Sequence, residues 1–244
     1  MRSKIAGAIS RWNYRRLFGF PYDVRLTQGA LKHQGYSSQF GQDKWIAETV
    51  LPGIRSGVFV DVGAHDGITF SNTLYLETEL GWNGLAIEPL PEVFERLRVN
   101  RRCAVSNLCV GPRAGKAAFQ VVSGYPEMLS GIVSEYEERH VKRIKRELKE
   151  HGGSVRVIEV DCCTLNEVIA GHGITAIDYL SIDVEGAEHS ILDAFDFDLC
   201  QVRVIGVENN YRDRRIPRLL SKEGFRFHSI VGDEFYVRQG PSGG

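Results

Sequence analysis

Several things are missing from this chain, and each absence narrows what it can be. No run of apolar residues is long enough to cross a bilayer, which sets aside an integral membrane span. The N-terminal residues hold no uninterrupted apolar core ahead of a small-residue cleavage site, so a secretory leader is a poor fit. No Cys-x-x-Cys pair occurs. The five cysteines, Cys103, Cys109, Cys162, Cys163 and Cys200, are an odd number at unrelated spacings. A disulfide framework or zinc knuckle is therefore not expected, and a reducing, cytoplasmic setting is. Charge of one sign is missing too: 30 Lys and Arg against 31 Asp and Glu leave a net charge of -1, so no overall field selects nucleic acid or an anionic membrane. No internal repeat of fixed period is visible.

What is present fits one large α/β domain: 244 residues suffice to bury roughly three quarters of the unfolded surface. Residues 1–35 form a separate segment. Within it Arg2, Lys4, Arg11, Arg15, Arg16 and Arg25 oppose Asp23 alone, with Trp12, Tyr14, Leu17, Phe18 and Phe20 interleaved. Two readings stand: a helix packed on the domain with a solvated basic face, or an amphipathic segment touching a membrane surface or partner. Tyr36–Val50 reads as a helix capped by Ser37 or Ser38.

The organising stretch is Val58–Thr73, VFVDVGAHDGITFSNT. Val58–Asp61 reads as a buried parallel strand, Gly63 and Gly67 bracket a turn, and Thr69, Ser71 and Asn72 are N-cap types before an apolar helix ending at Gly81. Strand, glycine turn and helix in that order present backbone N–H groups to a ligand. A second strand, Leu85–Ile87, ends at Glu88, roughly 20 residues past the turn, where dinucleotide-binding units place an acid on ribose hydroxyls. Pro91 suits the first turn of the next helix. Cys103–Ser106 and Lys116–Val122 read as strands. Residues 128–153 then carry an inserted, charge-rich helix, either a solvated face or a lid over the site or a dimer contact. Tyr179–Ile182 fits a central strand with Asp183 at its carboxyl end, where open α/β sheets bind ligands. Val202–Val207 is another strand ending at Glu208 and Asn209. Phe225–Ile230 and Glu234–Arg238 form a terminal antiparallel hairpin around Gly232-Asp233, and residues 239–244 are expected to be a disordered tail.

Taken together, SQFGQD (Ser38–Asp43), FVDVGAHDG (Phe59–Gly67), the Ser71–Thr73 triplet, GWNGLAIEP (Gly81–Pro89) and IDVEGAE (Ile182–Glu188) resemble the FkbM family of S-adenosylmethionine-dependent methyltransferases. The resemblance runs over residues 38–238. It implies a Rossmann-like class I methyltransferase over residues 36–238: a seven-stranded, mostly parallel sheet with an antiparallel last strand and helices on both faces. It implies S-adenosylmethionine across the strand ends, with Asp61, Gly63, Ala64 and Gly67 at the methionine end and Glu88 on the ribose diol. Ser106 is then an adenine neighbour, Gln42 closes over the site, and Asn72 and Thr73 either meet the cofactor carboxylate or cap the helix.

Methyl transfer from a sulfonium needs an aligned nucleophile, and a hydroxyl acceptor must also lose a proton to a base or metal. Asp183, Glu208 and Asn209 supply oxygen ligands suited to Mg²⁺, in a pattern similar to metal-dependent catechol-type O-methyltransferases. Gly186 replaces the lysine of those enzymes, so its role passes to His65, Glu185 or His189, with Asp183 as the remaining catalytic candidate. The implied activity is O-methylation of a small molecule or a sugar hydroxyl. A nicotinamide-type oxidoreductase lacks its full glycine fingerprint here. A non-catalytic module binding a partner through the basic segment or the inserted helix predicts a blocked or empty pocket.

Overall fold

A computed structural model describes residues 34–239. Most of the basic segment and the Gly-Pro-Ser-Gly-Gly end fall outside the described residues, so the readings made for them lie there too. Helix α1 spans Gln42–Trp45 and passes into a π turn at Ile46–Val50, instead of running from Tyr36. The reason is local. Ser37 and Ser38 N–H groups donate to the Asp43 carboxylate, the Ser38 hydroxyl accepts from Gly41 and Asp43, and Gly41 is left-handed at φ 95°. Such side-chain bonds compete with helix.

Strand β1 (Val58–Val62) follows, then α2 (Leu74–Leu80), β2 (Asn83–Ile87), α3 (Pro91–Asn100, with its expected proline start) and β3 (Ala104–Ser106). Gly81 ends α2 in the left-handed region as expected. At its start, Ser71 does the capping: its hydroxyl accepts from Leu74 at 3.1 Å. The chain then leaves the main sheet for β4 (Cys109–Val110), β5 (Gly115–Ser123), β6 (Gly131–Ile132), α4 (Glu138–His151) and β7 (Ser154–Cys163). These strands make a second sheet in the order β4-β7-β5-β6, so the expected lone inserted helix is one part of a larger unit. It returns through α5 (Leu165–Gly171), opened by a Thr164–Glu167 capping box, then β8 (Ala176–Ile182), α6 (Glu188–Asp193), β9 (Gln201–Val207), α7 (Arg215–Lys222), β10 (Phe225–Val231) and β11 (Asp233–Arg238).

The main sheet has seven strands in the order β10-β11-β9-β8-β1-β2-β3. All pairings are parallel except those of β11, which runs antiparallel to both β9 and β10. Alternation along each strand feeds two cores. Val60, Leu85, Leu180 and Ile205 face Ile169, Ile191 and Leu220 of α5, α6 and α7. Phe59, Ala86, Tyr179 and Val204 face Leu76 and Leu97 of α2 and α3, so helices cover both faces. Phe119, Val121, Ile132 and Val160 of the second sheet belong to the first core. The insertion is welded on by burial, and its α4 packs Ile144 against Val122 and Leu129.

No helix among the described residues is long and apolar enough to cross a membrane.

Candidate active site

Register builds the site. Val62 pairs with Ile87 and Ile182, and Ile182 pairs with Val207, so the central strands end level with one another. The residues that follow are Gly63, Glu88, Asp183 and Glu208. Gly63 N–H donates to Ile87 O (3.0 Å), Asp183 N–H to Val62 O (3.0 Å) and Glu208 N–H to Ile182 O (3.0 Å). Strand β11 starts beside them, with Glu234 opposite Val207, and brings Asp233 to the same edge. The carboxyl edge is thus a row of acids fixed by backbone bonds.

A cavity opens over this edge. Its wall includes Gln42, Asp61, Gly63, Ala64, His65, Asn72, Glu88, Arg143, Asp183, Glu185, Glu208 and Asp233. The pocket is open and its chemistry intact, contrary to what a non-catalytic module predicts. Two glycines are needed for different reasons. A Cβ on Gly63, at φ 90°, would lie 1.8 Å from Asp183 O, so β1 and β8 converge only because it is glycine. Gly67, at φ 78°, would meet Leu97 and Arg101 of α3 and its end. It packs against α3 and is not in the cavity wall, beside the methionine end where it was expected.

Glu88 lies in the cavity wall at the end of β2. It is buried, with Oε1 accepting from Leu90 N (2.9 Å) and Oε2 from His65 N (3.2 Å), which leaves a lone pair on each oxygen for a diol. Burial pushes its pKa up to about 7. His65, at φ 50°, places its ring against Glu127 Oε1 at 3.1 Å. Gln42 lines the cavity and donates to Asp233 (3.4 Å). Thr73 is buried behind the wall, its hydroxyl donating to Asp61 at 2.6 Å. Ser106 is also outside the wall, its carbonyl holding the Glu88 N–H.

The oxygens of Asp183, Glu185 and Glu208 lie within 4.8 Å of one another, a hard-donor set of the kind Mg²⁺ takes. Asn209, the other expected ligand, has its Nδ2 donating to Asp213 O and Glu234 Oε2 and its Oδ1 accepting from Asp213 N. Glu185 completes the carboxylate set, in the left-handed region at φ 56°. Burial raises the pKa of Asp183, Glu185 and Glu208; repulsion from Asp183 adds to it for Glu185 and Glu208, and repulsion from Asp61 adds to it for Asp183, whose hydrogen bond with Glu208 works the other way. Arg143 of α4 donates to both Glu185 oxygens, at 3.4 and 3.2 Å. Beyond Glu185 and Glu208, which also wall it, lies an adjoining cleft with Glu135, His189, Tyr211 and Arg215. His189 therefore faces that cleft and not the main cavity.

Four contributors went unread in the sequence. Arg143 looks like its neighbours on a charged helix, and Asp233 was visible only as a turn residue. Glu127 belongs to no motif that signals a site, and Glu188 closes the IDVEGAE motif without a role assigned to it; it accepts from Val184 and Gly186 N–H groups and so shapes the turn that carries Glu185.

Among known proteins, the family model described as Methyltransferase FkbM domain matches residues 61–227. No curated protein matches the chain. Among solved structures, the chain is similar to Methyltransferase FkbM from Methylobacillus flagellatus KT at 15% identity and TM-score 0.44, covering 80% of this chain and 47% of that one. It thus spans about half the length of that relative. A TehB-like SAM-dependent methyltransferase from Corynebacterium glutamicum ATCC 13032 is similar at 13% identity and TM-score 0.36, covering 94% and 96%. A methyltransferase from Pyrococcus furiosus is similar at 12% identity and TM-score 0.37, covering 98% and 99%. Likenesses this loose carry no argument about substrate.

Proposed function

Because the chain belongs to the FkbM methyltransferase family, a family of S-adenosylmethionine-dependent enzymes of class I fold, we propose that it methylates a hydroxyl group of a small molecule or sugar. The observation that carries this reading is the level row of strand-end carboxylates, shared between a cofactor-sized cavity and an adjoining cleft through Glu185 and Glu208. The cavity takes the cofactor, with its ribose on Glu88. The cleft admits the acceptor, whose oxygen attacks the sulfonium methyl carbon. An O–C bond forms as the C–S bond breaks, S-adenosylhomocysteine leaves, and the hydroxyl proton passes to Glu185. Burial holds that carboxyl in a range where it both accepts and releases protons near neutral pH. Arg143 offers the cationic group that Gly186 cannot, steadying the oxyanion as the proton departs.

The donor set of Asp183, Glu185 and Glu208 fits Mg²⁺. Bound there, the ion would take Glu185 as a ligand and lower the acceptor's pKa itself, in place of proton transfer to that carboxylate.

The test is calorimetric titration with S-adenosylhomocysteine of the parent and of Glu88→Ala, followed by transfer of labelled methyl to hydroxyl and amine acceptors with and without EDTA. Expected are binding by the parent, a roughly tenfold or greater loss in the variant, and label in a base-stable ether. No binding by the folded parent would remove the cofactor reading, label on nitrogen would remove O-methylation, and full turnover by verified metal-free protein would remove Mg²⁺.

A further inference from the structure

Among the described residues, the buried side-chain polar atoms without a hydrogen-bond partner are His65 Nδ1, Asn72 Oδ1 and Tyr179 OH. His65 and Asn72 line the cavity. His65 Nδ1 at least lies 3.6 Å from an Asp66 carboxylate oxygen. Asn72 Oδ1 has no such neighbour, though the residue is only 7% exposed. A buried carbonyl oxygen left empty is costly, and one in a cavity wall points to a ligand that fills it.

The orientation of the amide decides what that ligand brings. Nδ2 donates to Ser181 Oγ at 3.1 Å and to Asp233 Oδ2 at 3.3 Å. Beside an ionised Asp233, turning the amide over would set oxygen against oxygen, so the carboxylate holds the amide in this orientation. The free atom is therefore an acceptor. It repels a carboxylate, the partner that the sequence suggested for Asn72, and it attracts an N–H group. Asp233 beside it is buried, and its two amide donors, Gln42 and Asn72, bring no positive charge. Asp61 and Asp183 add negative potential at the same place. Arg143 and His65 are the basic side chains in the cavity wall, and they are engaged with Glu185 and Glu127.

We propose that Asn72 Oδ1 and the Asp233 carboxylate, supported by Asp61, form the site that receives the ammonium group of the cofactor's amino-acid end. This rests on the reading that the cavity holds S-adenosylmethionine. It gives the antiparallel strand β11 a role in binding, because only that strand direction sets Asp233 at the carboxyl edge. It also gives Gln42 one: it donates to the same Asp233 oxygen as Asn72 and so helps to fix that carboxylate beside Asn72.

Two ligands separate the ammonium from the rest of the cofactor. S-adenosylhomocysteine carries it, and 4-(5′-deoxyadenosin-5′-ylthio)butanoate keeps the carboxylate and nucleoside but lacks the amine. Calorimetry on the parent should favour the first by roughly ten- to hundredfold. Asp233→Asn should bring that ratio close to one, with the affinity for the amine-free ligand held or raised. Asn72→Ala should reduce the ratio by about threefold or more, and it decides the matter alone if Asp233→Asn fails to fold by circular dichroism. An unchanged ratio in the folded variants, or no preference in the parent, overturns the ammonium site while leaving cofactor binding intact. Failure of the folded parent to bind either ligand overturns the cofactor reading, and the ammonium site with it.

Discussion

Two groups of buried charge flank the turn between β1 and α2, and they are built on opposite terms. Behind the turn, Arg101 is fully buried and pairs with Glu77 at 2.6 Å. It donates as well to Gly67 O, Ser71 Oγ and Thr73 Oγ1, while Glu77 accepts from the Arg102 and Cys103 N–H groups. Opposite charge and backbone donors answer each group there, and the Glu77 pKa is lowered against the burial that would raise it. In front of the turn, Asp61, Asp183, Glu185, Glu208 and Asp233 crowd one cavity edge; Arg143 pairs with Glu185 and Arg101 acts on Asp61 from behind, yet burial raises every one of their pKa values. The first group holds the turn together. The second gathers like charge at a cost in stability, the kind of departure from local rules that the proposed cofactor site accounts for. Asp61 joins the two: it takes the Thr73 hydroxyl from behind and shows its face to the cavity.

The largest expected effect breaks the paired side. Arg101→Met leaves Glu77 buried without its partner and removes the ties to Gly67, Ser71 and Thr73. It should lower unfolding free energy by about 3–5 kcal/mol, seen as a fall in urea midpoint at unchanged slope. A loss below about 1 kcal/mol would place Arg101 among ordinary surface pairs and end the contrast.

The next effect is smaller and comes from the cavity side. Glu88 and Glu188 are pushed by burial from 4.5 to about 7, and Asp183, Glu208 and Asp233 are raised as well. A carboxyl whose folded pKa exceeds its unfolded value adds stability that is complete below the unfolded pKa and is lost as pH rises through the folded one. His140 and His228, held below their ordinary value by burial, work the other way under about pH 6.5. The ligand-free protein should therefore lose about 1–2 kcal/mol between pH 6 and pH 8, measured as urea midpoints across that range. A flat or rising profile would mean that the acids are answered by charge after all.

How much of this was legible follows from which interactions are local. The strand-end acids could be read because Val58–Asp61, Leu85–Ile87 and Tyr179–Ile182 are largely apolar runs that end at or beside a glycine or an acid; parallel register does the rest. Of the second sheet the long strand β5 could be read, but not the sheet, since β4 and β6 have two residues each and no periodicity shows in two residues. Arg143 stands beside Lys142 and near Lys145 and Arg146, and what turns it toward Glu185 is the burial of His140 and Ile144 one turn apart, a matter of tertiary packing. That Asn209 also clamps its loop could not be read, because the bond depends on how Asp213 folds back within reach. Asp233 needed the antiparallel strand to arrive at the edge at all.

The smallest expected effect is the most discriminating, because its sign separates the two groups. Glu208→Gln keeps the shape of the side chain and can still hydrogen-bond to Asp183, but it withdraws one negative charge from beside Asp183, Glu185 and Asp233. If the cavity acids are held against mutual repulsion, the ligand-free variant should gain about 1 kcal/mol at pH 8. The gain should shrink toward pH 5, where the cluster already holds protons. Methyl transfer should fall in the same protein, since a carboxylate shared by the cavity and the cleft has been lost. Paired urea melts at the two pH values read the first part, and turnover reads the second. A variant destabilised at pH 8 would make Glu208 the counterpart of Glu77, an acid that the fold relies on, and the cavity edge would then be a structural network in which ligand binding is incidental.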